Sequence, residues 1–475
     1  MKFSLLSAAV LPAAVAAHNI NLEARHGNVV RQNSAPAAAP AASSPAAAPP
    51  PASPTAAPVS VSLHSVNPTA IPLASLTAGT LTNQQTLGAS TTYIAGATPS
   101  AFPNAPPLPD ISTLNPANYP TLDVIPPTDS PEVQQWIKEV NASGVPIPNI
   151  TPTKDGTCGG DPAAAADQSR CWWTCGGCVR DTDVTTCQNK FTWGLTYDDG
   201  PAPYTPNLLQ YLDQQNLKAT FFVVGSRVIS YPALAREEYM AGHQLAVHTW
   251  SHHTLTAMTN EQIIAEFGWS RKIIKDVVGV TPKFWRPPFG DIDDRVRAIG
   301  LAMGMAPVIW TRISPTATFD TGDFNIGAGT ITAPQVLQNW ENIIANASTI
   351  NTGFIVLEHD LFEQSVDIAT GYILPDALST TPKLTIEPVI QCMGRTAADA
   401  YIETNDNKTY PPTTSTNSTS SSSGSAGQAQ ASGGSDSGSG GAASPSGAAP
   451  ISVSGSLALA SSVMFAALLG FSVWL

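Results

Sequence analysis

The chain has 475 residues, with 42 Pro and 35 Gly, and only 12% of it is charged, against about 25% in ordinary globular domains. Its 22 Lys and Arg against 35 Asp and Glu leave a net charge of −13, which excludes a nucleic-acid backbone as the partner, because phosphate binding needs basic patches. Neutral or cationic polymers stay open, and 10 Trp, 10 Tyr and 14 Phe suffice for one core and a sugar-binding surface.

In chain order, Met1-Lys2 precedes an apolar run from Phe3 to Ala17, and Val15-Ala16-Ala17 offers small residues before His18. The run is short for a membrane span, so residues 1–17 are expected to be a cleaved signal peptide. Residues 18–130 form an expected stalk. From Gln32 to Thr128 only Asp110 and Asp123 are charged, and Pro, Ala, Ser and Thr dominate. Such a stretch has little to bury and is expected to be disordered, with its first half O-glycosylated. Residues 60–125 are less extreme and compatible with packing onto the domain C-terminal to them.

Residues 131–186 read as a Cys-rich extension and 187–403 as the main domain. All six cysteines lie in this stretch: Cys158, Cys171, Cys175, Cys178, Cys187 and Cys392. Cys175-Gly-Gly-Cys178 could be half a zinc site, but an even count in a secreted chain favours three disulfides. Their pairing stays open among about fifteen possibilities. If all pair, Cys392 must reach back to the N-terminal group and tie the domain's ends together.

From Phe191 onward, strand-like and helix-like runs alternate. Phe191–Tyr197, Ala219–Val224, Gln244–His248, Lys283–Trp285, Pro307–Trp310 and Phe354–Leu357 read as strands. Pro206–Asn216, Pro232–Ala241, Asn260–Val278 and Ala333–Ala345 read as helices. This alternation predicts an α/β fold: a parallel sheet closed into a distorted, incomplete (β/α) barrel, with chemistry at the C-terminal strand ends. Residues 404–446 are a Ser/Gly-rich tether, also expected to be disordered. Residues 447–475 end in the apolar segment Leu457–Leu475 with no basic residue after it. Small residues, spacer and apolar tail predict attachment of a GPI anchor at Ser446, with Gly440 to Ala442 also suitable. A plain C-terminal transmembrane helix is the alternative. Five N-x-S/T sequons, at Asn141, Asn149, Asn346, Asn407 and Asn417, agree with an extracellular protein held at the plasma membrane or in the cell wall.

Ionisable residues cluster where the strand-like runs stop: Asp198-Asp199, His248, Arg286 and His359. In His248-Thr-Trp-Ser-His252 the two imidazoles could reach one ion if the segment is helical. Two histidines and a carboxylate leave open positions on a catalytic zinc, and they equally match the facial triad of iron oxygenases. The second aspartate favours hydrolysis. One carboxylate binds the metal, its neighbour stays free as a base, and His359 serves as the acid.

Four segments occur in order: Thr196-Tyr197-Asp198-Asp199-Gly200, His248-Thr-Trp-Ser-His252, Arg286-Pro-Pro-Phe-Gly290 and Ile355-Val-Leu-Glu-His359-Asp360. Together they resemble the polysaccharide deacetylases, carbohydrate esterase family 4, and most closely the fungal GPI-anchored chitin deacetylases. The resemblance covers about Cys187 to Met393. It implies Asp198 as general base, Arg286 as its holder, and Asp199, His248 and His252 as ligands of one divalent ion, zinc or cobalt. His253 stands where the family often has proline and is not implied as a ligand. The Phe289 N–H would donate to the oxyanion, Trp310 and Leu357 would wall the acetyl pocket, and His359 would be the general acid. The family's Asp-x-x-Asp-Trp motif departs here. Asp320-Thr-Gly-Asp323-Phe324 lies further from Trp310 and ends in Phe, with Asp323 the candidate acid polarising His359. The implied activity is metal-dependent removal of N-acetyl groups from chitin or another N-acetylglucosamine polymer, giving chitosan and acetate, with no obligate protein partner. A different class is an anchored wall protein that binds chitin or glucan without catalysis. A third is a deacetylase of another acetylated polysaccharide. A glycosidase needs two carboxylates across a cleft, and Asp198 and Asp199 are adjacent.

Overall fold

The computed structural model describes residues 61–79 and 86–405. The expected signal peptide, the stalk up to residue 60, Asn407, Asn417, Ser446 and the apolar segment 457–475 lie outside the described residues. Among the described residues no helix is long and apolar enough to cross a membrane.

Among the described residues, ten short strands organise the fold: β1 (Thr192–Gly194), β2 (Thr196–Asp198), β3 (Thr220–Val223), β4 (Gln244–Val247), β5 (Phe284–Trp285), β6 (Ala306–Pro307), β7 (Arg312–Ser314), β8 (Ala317–Thr318), β9 (Phe354–Ile355) and β10 (Thr385–Glu387). β2 to β6 make a parallel sheet in chain order, and β10, β1 and β9 make a second parallel sheet. Every residue of β1 to β6 and of β9 is buried, which parallel strands require when helices cover one face and a filled interior the other.

The run expected as one strand, Phe191–Tyr197, is two. Leu195 donates its N–H to Glu387 at 3.0 Å and accepts from the Thr220 N–H at 2.9 Å, so the chain leaves one sheet and enters the next at this residue. Parallel bridges between Asp198 and His359 and between Asp320 and Leu357 carry the pairing round the seam. The result is a distorted (β/α) barrel. The runs Pro307–Trp310 and Phe354–Leu357 contribute only short ladders, because beyond them the backbone pairs with loops, as in the Val184–Val308 bridge.

The helix Asn260–Val278 begins at a Thr259/Gln262 capping box and stops at Gly279, whose φ of 87° closes the helix in the left-handed region. The helix expected over Ala333–Ala345 runs on to Thr349 from a Thr332/Gln335 capping box. Large aromatics fill the interior; Trp193, Trp250, Trp285 and Trp340 are wholly buried.

Within the expected stalk, residues 60–125 are the part compatible with packing onto the domain, and the described residues among them do so. Residues 61–79 and 86–130 wrap the barrel and enter its core through Leu76, Phe102 and Leu108. Phe102 stacks on Tyr239 at 4.9 Å and meets the edge of Tyr401 at 5.2 Å. Burying each such side chain contributes on the order of 2 kcal/mol, which the Pro- and Ala-rich composition conceals. All six cysteines are paired, as Cys158–Cys175, Cys171–Cys178 and Cys187–Cys392. Cys175 and Cys178 therefore belong to different bridges and form no zinc half-site.

Candidate active site

The C-terminal ends of the central strands converge on a cavity of about 220 Å³. Asp198 ends β2, and Asp199 follows with φ 79°. Thr249 at 65°, His252 at 55° and Phe289 at 59° also adopt left-handed backbone. Each such non-glycine residue costs on the order of 1–3 kcal/mol, which the surrounding packing must hold. Four of them around one cavity mark where the fold accepts strain to aim side chains.

His248 and His252 do not share a helix. The segment between them is an irregular loop, and its two left-handed turns, not a 3.6-residue period, bring the rings to 4.9 Å. Sequence reading missed the residue that shapes this loop. Glu266, buried in the long helix, accepts from the N–H of Trp250 at 2.7 Å and of Ser251 at 2.9 Å, and from the Ser251 hydroxyl. Burial pushes its carboxyl up to about 7 against these hydrogen bonds. A signal was present: Glu266 interrupts the apolar face made by Ile263, Phe267 and Ile274.

Asp199 Oδ1 lies 3.3 Å from His248 Nε2 and 3.1 Å from His252 Nε2. The three buried ligand atoms fall within 4.8 Å of one another. The Nδ1–H of His248 donates to the Arg286 carbonyl at 2.9 Å; since a carbonyl only accepts, this leaves the Nε2 lone pair facing Asp199. The donor set, one carboxylate and two imidazoles, fits a divalent cation of zinc or cobalt type. His253 lies outside the set and is hydrogen-bonded to Ser251.

Asp198 is held differently. Arg286, wholly buried, donates from Nη1 to Asp198 Oδ1 at 2.8 Å and to Thr196 Oγ1 at 2.9 Å. Asp198 Oδ2 stands 3.7 Å from His248 Nε2, beside the ligand set. Across the cavity, Asp323 Oδ1 is 2.7 Å from His359 Nδ1, and its other oxygen accepts the His359 backbone N–H at 2.9 Å. Burial works against a charged His359 ring, but the charge and hydrogen bond of Asp323, then Asp199 and Asp198, outweigh it and raise the ring to about 10. Phe289, Trp310 and Leu357 line the same cavity, and so do Asp320 and Phe324 of the departed motif and Asn325, to which sequence reading gave no part. Two larger grooves, of about 840 and 870 Å³, run along Pro131–Ala142 and past Pro106–Asn118 and contain none of these groups. The chemistry, not the size, singles out the smaller cavity.

The described sequons stand apart from the cavity: Asn141 lies in the last turn of the helix Pro131–Ala142, Asn149 is exposed in a loop, and Asn346 is half-buried on the helix Ala333–Thr349.

Such a barrel, with a three-ligand cation site between a restrained carboxylate and an acid-capable histidine, is the architecture of a hydrolase. Residues 185–308 match the family model described as polysaccharide deacetylase. "Chitin deacetylase 1" of Cryptococcus neoformans var. grubii serotype A is 51% identical over 341 residues, which are 71% of this chain and 71% of that protein. A chitin deacetylase of Amylomyces rouxii is 39% identical over 228 residues, 42% of this chain and 52% of the relative. Among solved structures, the chitin deacetylase from the fungal pathogen Colletotrichum lindemuthianum is 23% identical, covering 48% of this chain and 100% of its own at a TM-score of 0.41. The chain belongs to the polysaccharide deacetylase family.

Proposed function

We propose that the protein is a metal-dependent chitin deacetylase, hydrolysing N-acetyl groups of N-acetylglucosamine residues to leave chitosan and acetate. One observation carries this reading. A carboxylate locked by a buried arginine, a three-ligand cation site and a His–Asp pair face one another in a single small cavity. The relatives named chitin deacetylase support the substrate class.

Asp199, His248 and His252 would hold the cation, which when bound polarises a carbonyl and acidifies water. Asp198, fixed by Arg286, takes the proton of the attacking water as its oxygen bonds to the acetamide carbon. The oxyanion accepts a hydrogen bond from the Phe289 N–H. Trp310 and Leu357 enclose the methyl group. His359, kept protonated by Asp323, donates to the departing nitrogen as the C–N bond breaks. One water and one amide thus become acetate and an amine. Three disulfides support an oxidising, extracellular setting for this domain. GPI attachment near Ser446 is part of the same proposal and is supported by the small residues and apolar segment of the C-terminal sequence.

Acetate release from N-acetylglucosamine oligomers by the purified protein tests the activity. Release should stop with a chelator and return with added zinc or cobalt. A metal-loaded protein that binds the oligomers and frees no acetate would overturn the proposal.

A further inference from the structure

The segment Cys171-Trp-Trp-Thr-Cys175-Gly-Gly-Cys178 has no part in the reaction described above, yet the structure drives it into the wall of the cavity. Two disulfides, Cys158–Cys175 and Cys171–Cys178, clamp it. Its residues grip the chain immediately after Phe289. Trp173 donates its backbone N–H to the Ile292 carbonyl at 3.0 Å. Trp172 donates from Nε1 to Asp291 Oδ1 at 2.7 Å. The Trp173 ring lies so close to Gly290 that a Cβ there would stand 2.3 Å from Trp173 Cζ3. The same ring meets Trp310 edge-on, with centroids 4.7 Å apart and planes at 78°. Trp173 is itself buried, 5% exposed, and does not line the cavity.

Trp173 therefore touches two walls at once: the turn that presents the Phe289 N–H, and the indole that closes the methyl pocket. Phe289 keeps its left-handed φ of 59° without the freedom of a glycine, so something must hold it there. Asp291 extends the brace to the segment that follows His252, because its Oδ2 accepts the Thr256 N–H at 2.8 Å. On an irregular backbone of this kind, a small displacement of an oxyanion donor is expensive in rate.

We infer that Trp173, delivered by the disulfide-clamped extension, is a positioning residue that sets the distance between the Phe289 turn and Trp310. The catalytic side of this inference rests on the deacetylase reading; the structural side does not. Two readouts separate them. In Trp173→Ala, hydrogen exchange of the peptide spanning 286–292 should quicken, with metal content unchanged. In the same variant kcat for acetate release should fall on the order of tenfold or more, while KM shifts less than about threefold. Trp173→Phe, which keeps a flat ring against Gly290, should recover most of both. Because removing a buried tryptophan can unfold a domain, the pair Cys158→Ser/Cys175→Ser provides a second route. It loosens the clamp without touching the cavity and should quicken the same peptide and lower kcat in the same direction. Unchanged exchange at 286–292 in both variants overturns the inference, and so does quickened exchange with kcat intact. If the wild-type protein releases no acetate but exchange still responds, the deacetylase reading fails and the positioning of the turn stands.

Discussion

Asp198 and Asp199 are adjacent and chemically identical, and only the direction of the backbone gives them different work. The left-handed φ of Asp199 turns its carboxylate to the two imidazoles, while Asp198, still in the strand, meets Arg286. Asp199→Ala, His248→Ala or His252→Ala should each remove bound metal and activity together, since each deletes one of three protein ligands. Asp198→Asn should keep stoichiometric metal, measured by elemental analysis, while turnover falls about 10²–10⁴-fold. Loss of metal in Asp198→Asn with retention in Asp199→Asn would reverse the two roles. His359 carries a pH prediction. An acid must be protonated to work, and against the burial that lowers the pKa of His359 the charge and hydrogen bond of Asp323 raise it, which favours the protonated form. Asp323→Asn removes the charge that holds the pKa up, so the alkaline limb of the pH–rate profile should move to lower pH. Comparing both proteins loaded with the same metal cancels the cation's own effect. A limb that stays in place would show that Asp323 does not tune His359.

At the scale of elements, the long helix does more than pack. Its apolar face was legible from Ile263, Phe267 and Ile274, and its bounds from the Thr259 cap and Gly279. What the periodicity could not reveal is that Glu266, on that face, reaches out to the loop between His248 and His252, the two candidate imidazole ligands. Glu266→Ala would leave two buried N–H groups without their acceptor, at about 1–3 kcal/mol each. Denaturant unfolding should therefore show a loss of about 2–6 kcal/mol, and metal titration a weaker site. Glu266→Gln, which retains one acceptor oxygen, should lose less. Metal affinity unchanged in Glu266→Ala would mean the loop holds its shape alone. The His248–His252 spacing suggested a helical face, and a loop produces the same proximity, because the two left-handed residues in the loop fold the chain back on itself.

For the whole molecule, two features join distant parts of the chain. Cys187–Cys392 closes a loop with a sequence separation of 205 residues. The chain-entropy account assigns such a crosslink about 5 kcal/mol. Cys187→Ser/Cys392→Ser should lower the unfolding midpoint sharply, and a double variant as stable as the wild type would show that the barrel closes without it. The N-terminal arm joins the core at Phe102, between Tyr239 and Tyr401. Phe102→Ala should cost about 3–5 kcal/mol, read by denaturant unfolding. Ile94→Ala, at a side chain 72% exposed on the same arm, should stay within about 0.5 kcal/mol of the wild type. Equal effects at the two positions would mean that the arm does not belong to the cooperative unit.

The sequence by itself determined the alternation of strands and helices, the order of the four site segments and the residue types of the cavity. These are local properties: hydrophobic period, capping residues, and ionisable groups at the ends of apolar runs. The contacts through which residues 61–79 and 86–130 pack, the split of the first strand at Leu195, the disulfide pairing, and the parts played by Glu266, Asp291 and Trp173 were decided only by the tertiary structure. Each depends on contacts between residues far apart in the chain. Trp173 and Gly290 are 117 positions apart, and no spacing rule reaches that far; only the closed barrel brings them into contact.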